Sequence, residues 1–179
     1  MTALLIAGRM KQIDEKKDEN TCGGVTKYNS GEDATKEITS TEIRELHCKF
    51  SYFAVMDDSE ISGRMYTFDA VQKNNTYICA YEWYTRNGGE SESGQFEADL
   101  SFGESLHKIA AGHNLAQYNG YYHSVSGLPE MYGDYINIAY ASGESIYAKD
   151  NQNGFVPVEV MQDLWTLFRE TDEKLEEAP

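Results

Sequence analysis

Between Leu46 and Leu100 the chain keeps a two-residue hydrophobic period, interrupted only by short polar runs, and this commits the segment to hairpin-linked strands. Leu46, Cys48, Phe50 and Tyr52 share one phase, with His47, Lys49 and Ser51 on the other. Asp57-Asp58-Ser59-Glu60 then breaks the pattern. In the next strand Tyr66, Phe68 and Ala70 alternate with Met65, Thr67 and Asp69. Residues 72–76 hold Asn74-Asn75, a hairpin signal because asparagine tolerates a positive φ. The return strand sets Tyr77, Cys79, Tyr81 and Trp83 against Ile78, Ala80, Glu82 and Tyr84. Apolar groups on both phases predict a central strand with chain packed on each side. Residues 87–94 read as an exposed turn, and a fourth strand runs through Phe96, Ala98 and Leu100.

The period then lengthens. Ser101-Phe102-Gly103-Glu104 fits a capping box, Leu106, Ile109 and Ala110 follow at helical spacing, and Gly112 marks the stop. Residues 118–132 are irregular. A second hairpin is expected from 135–140 and 144–148 around Ser142-Gly143. Pro157 suits a first helical position, and Val160, Leu164, Leu167 and Phe168 form the apolar stripe of a final helix of about five turns. At the other end, residues 1–20 read as an amphipathic helix stopped by Cys22-Gly23-Gly24, and residues 21–41 as a polar linker. The expected fold is α+β: a single antiparallel sheet of about five to six strands, two helices packed on it, and an additional N-terminal helix. The expected division is 1–41 as helix and linker and 42–179 as one α+β domain.

Thirty acids face 15 bases in 179 residues, a net charge of −15. That excess excludes tight nucleic-acid binding and docking on anionic lipid, both of which need clustered Lys and Arg. No run approaches the ~20 apolar residues of a membrane span. Cys22, Cys48 and Cys79 are odd in number and irregular in spacing, so no disulfide framework is implied; a reducing cytoplasm is the expected compartment, with an extracytoplasmic location the open alternative.

Chemistry-bearing spacings are missing. There is no Cys-x-x-Cys and no His-Glu-x-x-His, and His107 and His113 stand too far round a helix to chelate together. The run ending at Gly154 lacks the carboxylates of a calcium loop. Phosphate-cradling glycine loops and the Gly-x-Ser-x-Gly elbow are also absent. No catalytic residue, metal or cofactor is expected, and the balance leans against an enzyme.

Tyrosine is the one conspicuous enrichment, with 13 in the chain. Tyr118, Tyr121, Tyr122, His123 and Tyr132 gather in the irregular stretch, where tyrosine offers broad contact area at low entropy cost. They are the candidate ligand- or partner-binding residues, and His123 is the one that ordinarily titrates near neutrality.

From Gly120-Tyr121 the chain runs through Gly127-Leu128-Pro129, an alternating strand, Tyr140-x-x-Gly143, a return strand with Ile146, a turn ending at Gly154, Pro157 and Leu164-x-x-Leu167. This succession resembles the C-terminal half of small uncharacterised bacterial α+β domains. Ala141-Ser142-Gly143 stands where that resemblance implies Asp-Gly, and Tyr135 stands near a usual tryptophan. The resemblance implies the fold class and carries no activity.

Two functions follow as expectations. One is a non-catalytic binding protein, immunity- or inhibitor-like, whose acidic surface holds a basic protein. Charge supports it: residues 1–60 hold 8 bases and 12 acids, leaving 7 and 18 for residues 61–179. The other is a small-ligand domain, an enzyme included, using residues 118–132. Exposed tyrosines also suit a homo-oligomeric interface.

Overall fold

In a computed structural model of the chain, the alternating segment becomes four strands of one large sheet. The structure describes residues 15–16, 26–55, 58–129, 131–152 and 154–177. The strands are β1 (Glu15–Lys16), β2 (Thr26–Asn29), β3 (Ile43–Ser51), β4 (Arg64–Lys73), β5 (Thr76–Thr85), β6 (Ser91–Ala98), β7 (Tyr122–Val125), β8 (Tyr135–Tyr140) and β9 (Ser145–Asp150). Helix α1 (Leu100–Gly112) follows β6, a 3₁₀ turn (Leu115–Tyr118) precedes β7, and helix α2 (Val158–Glu176) closes the described chain.

The α+β class holds, but the sheet is larger than expected and it is mixed. Its order is β1-β2-β7-β9-β8-β3-β4-β5-β6. Every pair is antiparallel except β7 with β9, where Tyr122 aligns with Lys149 and His123 with Asp150. Three short strands, β1, β2 and β7, make the difference. β7 lies inside the stretch read as irregular, and β2 inside the stretch read as linker. Thr26–Asn29 is polar and mostly exposed, so it carries no alternation to read, and pairing with β7 is what orders it. Residues 30–41 are likewise fastened to the body. Glu144 accepts the N–H groups of Thr39 (2.9 Å) and Ser40 (3.0 Å), and Lys36 Nζ donates to the Asn119 carbonyl (2.5 Å). Among the described residues no helix precedes β3. The helix expected over 1–20 falls outside the described residues, apart from Glu15–Lys16, which are strand.

Both helices lie on one face of the sheet. Inward positions Leu46, Cys48, Phe50, Tyr66, Phe68, Ala70, Tyr77, Cys79 and Tyr81 are buried as their phase requires, beneath Phe102, Leu106, Val160, Leu164 and Phe168 from the helices. The opposite phase of β5 is not covered: Ile78 is 38% exposed and Glu82 is exposed. The two-sided packing expected for β5 is therefore corrected. Its outward apolar groups meet Val71 and Met65 on β4 but Asp69 there and Glu97, Gln95 and Ser91 on β6, too few apolar neighbours to bury a second layer.

The α1 start also shifts. Asp99 is the N-cap, its Oδ1 accepting from the Ser101 N–H (2.8 Å) and hydroxyl (2.5 Å), so Ser101 is not the cap and Glu104 does not close a box. An aspartate two residues earlier offers the stronger, charged acceptor for the same free N–H groups.

Gly103 on α1 is a packing requirement. A Cβ there would collide with the Tyr77 phenol, which is 2% exposed and donates its hydroxyl to the Ile43 carbonyl. Alanine normally gains about 1 kcal/mol over glycine inside a helix. Here overpacking costs about 1–3 kcal/mol, and the collision also strains a buried hydrogen bond. Gly103→Ala is expected to lower the urea midpoint; a raised midpoint would show that α1 moves aside freely.

Candidate functional site

The five tyrosine-loop residues do not form one pocket. Tyr118 sits in the 3₁₀ turn with its ring 5.4 Å from Phe155, and Tyr121 packs 4.8 Å from the same ring. Tyr28 on β2 stands edge-on to both Tyr121 (6.2 Å) and His123 (6.1 Å), because Tyr28 and His123 are register partners. Tyr118, Tyr121 and His123 thus belong to one half-buried aromatic cluster beside the core. Burial pushes the Tyr118 and Tyr121 phenols up, and Asp150 raises Tyr121 further. Tyr122 takes the opposite phase of β7, and Tyr132 lies elsewhere, with the Arg86 guanidinium 5.4 Å from its ring centre. The period of two that makes β7 a strand is what splits the group.

The acids are better organised. Helix α2 turns Val160, Met161, Leu164 and Phe168 to the sheet and leaves Glu159, Asp163, Glu170, Glu173 and Glu176 exposed. The two α2 bases are already engaged. Arg169 Nε meets Glu173 (2.9 Å) and, across on β6, Glu92 (3.4 Å), while Lys174 meets Glu170 (3.1 Å). Asp163 pairs with His113 at 2.7 Å. β6 ends the sheet beside this helix, and among the described residues no strand pairs with its outer edge.

Between the two helices runs an apolar notch of about 220 Å³, lined by Phe102, Leu167, Thr171 and Leu175 with Asp99, Ser101 and Lys174 beside them. Leu100 and Leu175 are each 45% exposed beside it. The flank therefore combines an apolar recess, with Asp99 and Lys174 as its charged lining, and the exposed acids of α2. Helical periodicity marked the α2 stripe in the sequence. The notch could not be read there, because it needs the α1–α2 approach.

A third surface is the uncovered sheet face. One row crosses six strands in register: Tyr147, Asn137, His47, Asp69, Ala80 and Gln95. His47 Nδ1 lies 2.6 Å from Asp69 Oδ1. Ala80 leaves a hollow of about 610 Å³ between Asp69, Val71, Ile78, Gln95 and Glu97. Among the described residues no three His, Cys, Asp or Glu side chains converge as a metal would require, and no helix is long and apolar enough to cross a membrane. No family model, curated protein or solved structure matches the chain.

Proposed function

We propose that this protein is a non-catalytic binding protein that holds a basic protein partner on the α1–α2 flank. One observation carries the reading: the exposed side of α2 presents acids whose nearby Arg169 and Lys174 are already satisfied within the chain, on the same flank as an apolar recess between α1 and α2. Such a surface supplies both parts of a protein interface. Leu100 and Leu175 offer desolvated contact area, and the surrounding carboxylates steer and orient a cationic partner. Steering of this kind weakens with salt, because the screening length is about 10 Å at 0.1 M. The ligand-binding reading of residues 118–132 is less well served, since Tyr122 and Tyr132 point away from Tyr118, Tyr121 and His123.

The test is capture from a lysate of the source cell with the wild type and with the triple variant Glu170→Lys, Glu173→Lys, Glu176→Lys. These positions are exposed on α2, so the fold tolerates them. A basic protein recovered near stoichiometry by the wild type, released by salt and missed by the variant is the expected result. Recovery of no basic protein at low salt, or equal recovery by both baits, overturns the proposal.

A further inference from the structure

We infer that the uncovered face of the sheet pairs with the same face of a second copy, forming a twofold dimer. The inference concerns a different surface from the α1–α2 flank and does not depend on the partner proposed there. Charge is the first argument. The chain carries −15, so most of its surface repels a copy of itself. The open face is different: Glu45, Asp69, Glu82 and Glu97 are offset there by Lys49, Lys73 and Lys149. It is a nearly balanced surface on a strongly acidic molecule.

The second argument is how the two halves of that face differ. Strands β9, β8 and β3 carry projecting groups: Tyr147, 43% exposed, stands edge-on to Tyr135 at 5.8 Å, with Lys149 and Lys49 in the Tyr135 row. Strands β4, β5 and β6 carry the complement, the hollow over Ala80, bounded by Asp69 and Glu97, with Glu82 beside it. A twofold axis between the sheets, running along the strands at the β3–β4 junction, lays each half on the other. Tyr147 then faces Gln95 at the edge of the hollow. Tyr135 faces Glu82, with Lys149 and Lys49 alongside, and His47 faces Asp69 of the other copy. Each contact occurs twice, as an isologous interface requires. Two sheets meeting this way form an aligned sandwich with side chains filling the roughly 10 Å between them.

Sedimentation equilibrium on the full chain tests this. At tens of micromolar and moderate salt the wild type is expected at twice its 20.2 kDa mass. Ala80→Arg fills the hollow from a solvent-facing position, and Lys49→Glu with Lys149→Glu breaks the charge match. Each is expected to weaken the dimer by about tenfold or more. Adding Glu82→Lys to the lysine reversals should restore it, because Glu82 shares the Lys49 and Lys149 row. The two disruptions are independent, so one misfolded variant, identified by its circular dichroism, leaves the other to decide. A monomeric wild type overturns the inference. So does a dimer indifferent to both disruptions, or a three-residue variant that stays monomeric.

Discussion

Phe168→Ala is expected to cost about 3–5 kcal/mol, the upper range for truncating a buried aromatic. Phe168 is fully buried and is the point where four elements meet. Its ring lies 5.3 Å from Phe68 on β4, 6.1 Å from Tyr81 on β5, 5.9 Å from Phe96 on β6 and 5.1 Å from Phe102 on α1. The neighbouring rings are held from several directions, so they cannot collapse together into the space an alanine leaves. Tyr81 is tethered by its hydroxyl to Asp172 (3.0 Å), and Trp165 packs at 5.2 Å against its ring. Residual cavity volume sets the size of the loss, and this site retains most of it. Total stability for such a domain is on the order of 5–15 kcal/mol, so the variant stands near its unfolding threshold. The measurement is urea unfolding, with a lowered midpoint and an unchanged slope. Phe168→Leu should recover much of the loss. A Phe168→Ala loss below about 1 kcal/mol would mean that α2 is not anchored through this ring.

What the sequence disclosed and what it withheld divides along one physical line. Elements whose signal is local periodicity were legible. β3, β4, β5, β6, β8, β9 and α2 all carry alternation or a helical stripe, and the buried residues fall on the expected phases, except that Leu100, expected as the end of β6, opens α1 and is exposed. Elements stabilised mainly by partners distant in sequence were not. β2 and β7 are four residues each, too short to show a period, and they exist through their pairing with each other. The parallel β7–β9 pair follows from where β7 lands, which no local pattern encodes. Much the same holds for the sites. Thirteen tyrosines marked an enrichment, yet the pleat that makes Tyr122 and His123 neighbours in sequence sends them to opposite faces. The acidic bias was visible as a count. Its geometry on α2 needed the helix phase, and the notch beside it needed the tertiary contact.

Stability is expected to fall as pH rises from about 4 to about 6, the reverse of an ordinary salt-bridged carboxylate, and Asp134 is the cause. This aspartate is 3% exposed. Its carboxylate accepts N–H groups from Phe155 (2.9 Å), Val156 (2.9 Å) and Ser51 (3.3 Å), which stitch the loop before α2 and the end of β3 to the start of β8. Burial outweighs those three bonds and, with help from nearby Asp150, raises the carboxyl from its ordinary 3.8 to about 6. Between those values the folded chain keeps a proton that the unfolded chain has released. Raising the pH through that window therefore favours unfolding, and the effect is complete above about 6. The gap corresponds to about 3 kcal/mol. Glu144 acts oppositely in a lower window. The Ser142 hydroxyl and the Thr39 N–H hold it down to about 2, so its support for residues 39–40 is present above its ordinary 4.5 and lost as pH falls toward 2. The two slopes place the Asp134 and Glu144 optimum near pH 4. Denaturant melts of the wild type and Asp134→Asn across pH 3–8 separate the contributions. The asparagine has no proton to exchange, so its profile should lose the decline between 4 and 6 while keeping the acid-side loss due to Glu144. Asp134→Ala leaves three N–H groups without their acceptor, one buried and two half-buried, and should cost on the order of 3 kcal/mol. A variant Asp134→Asn that still declines between pH 4 and 6 would transfer the effect to another group.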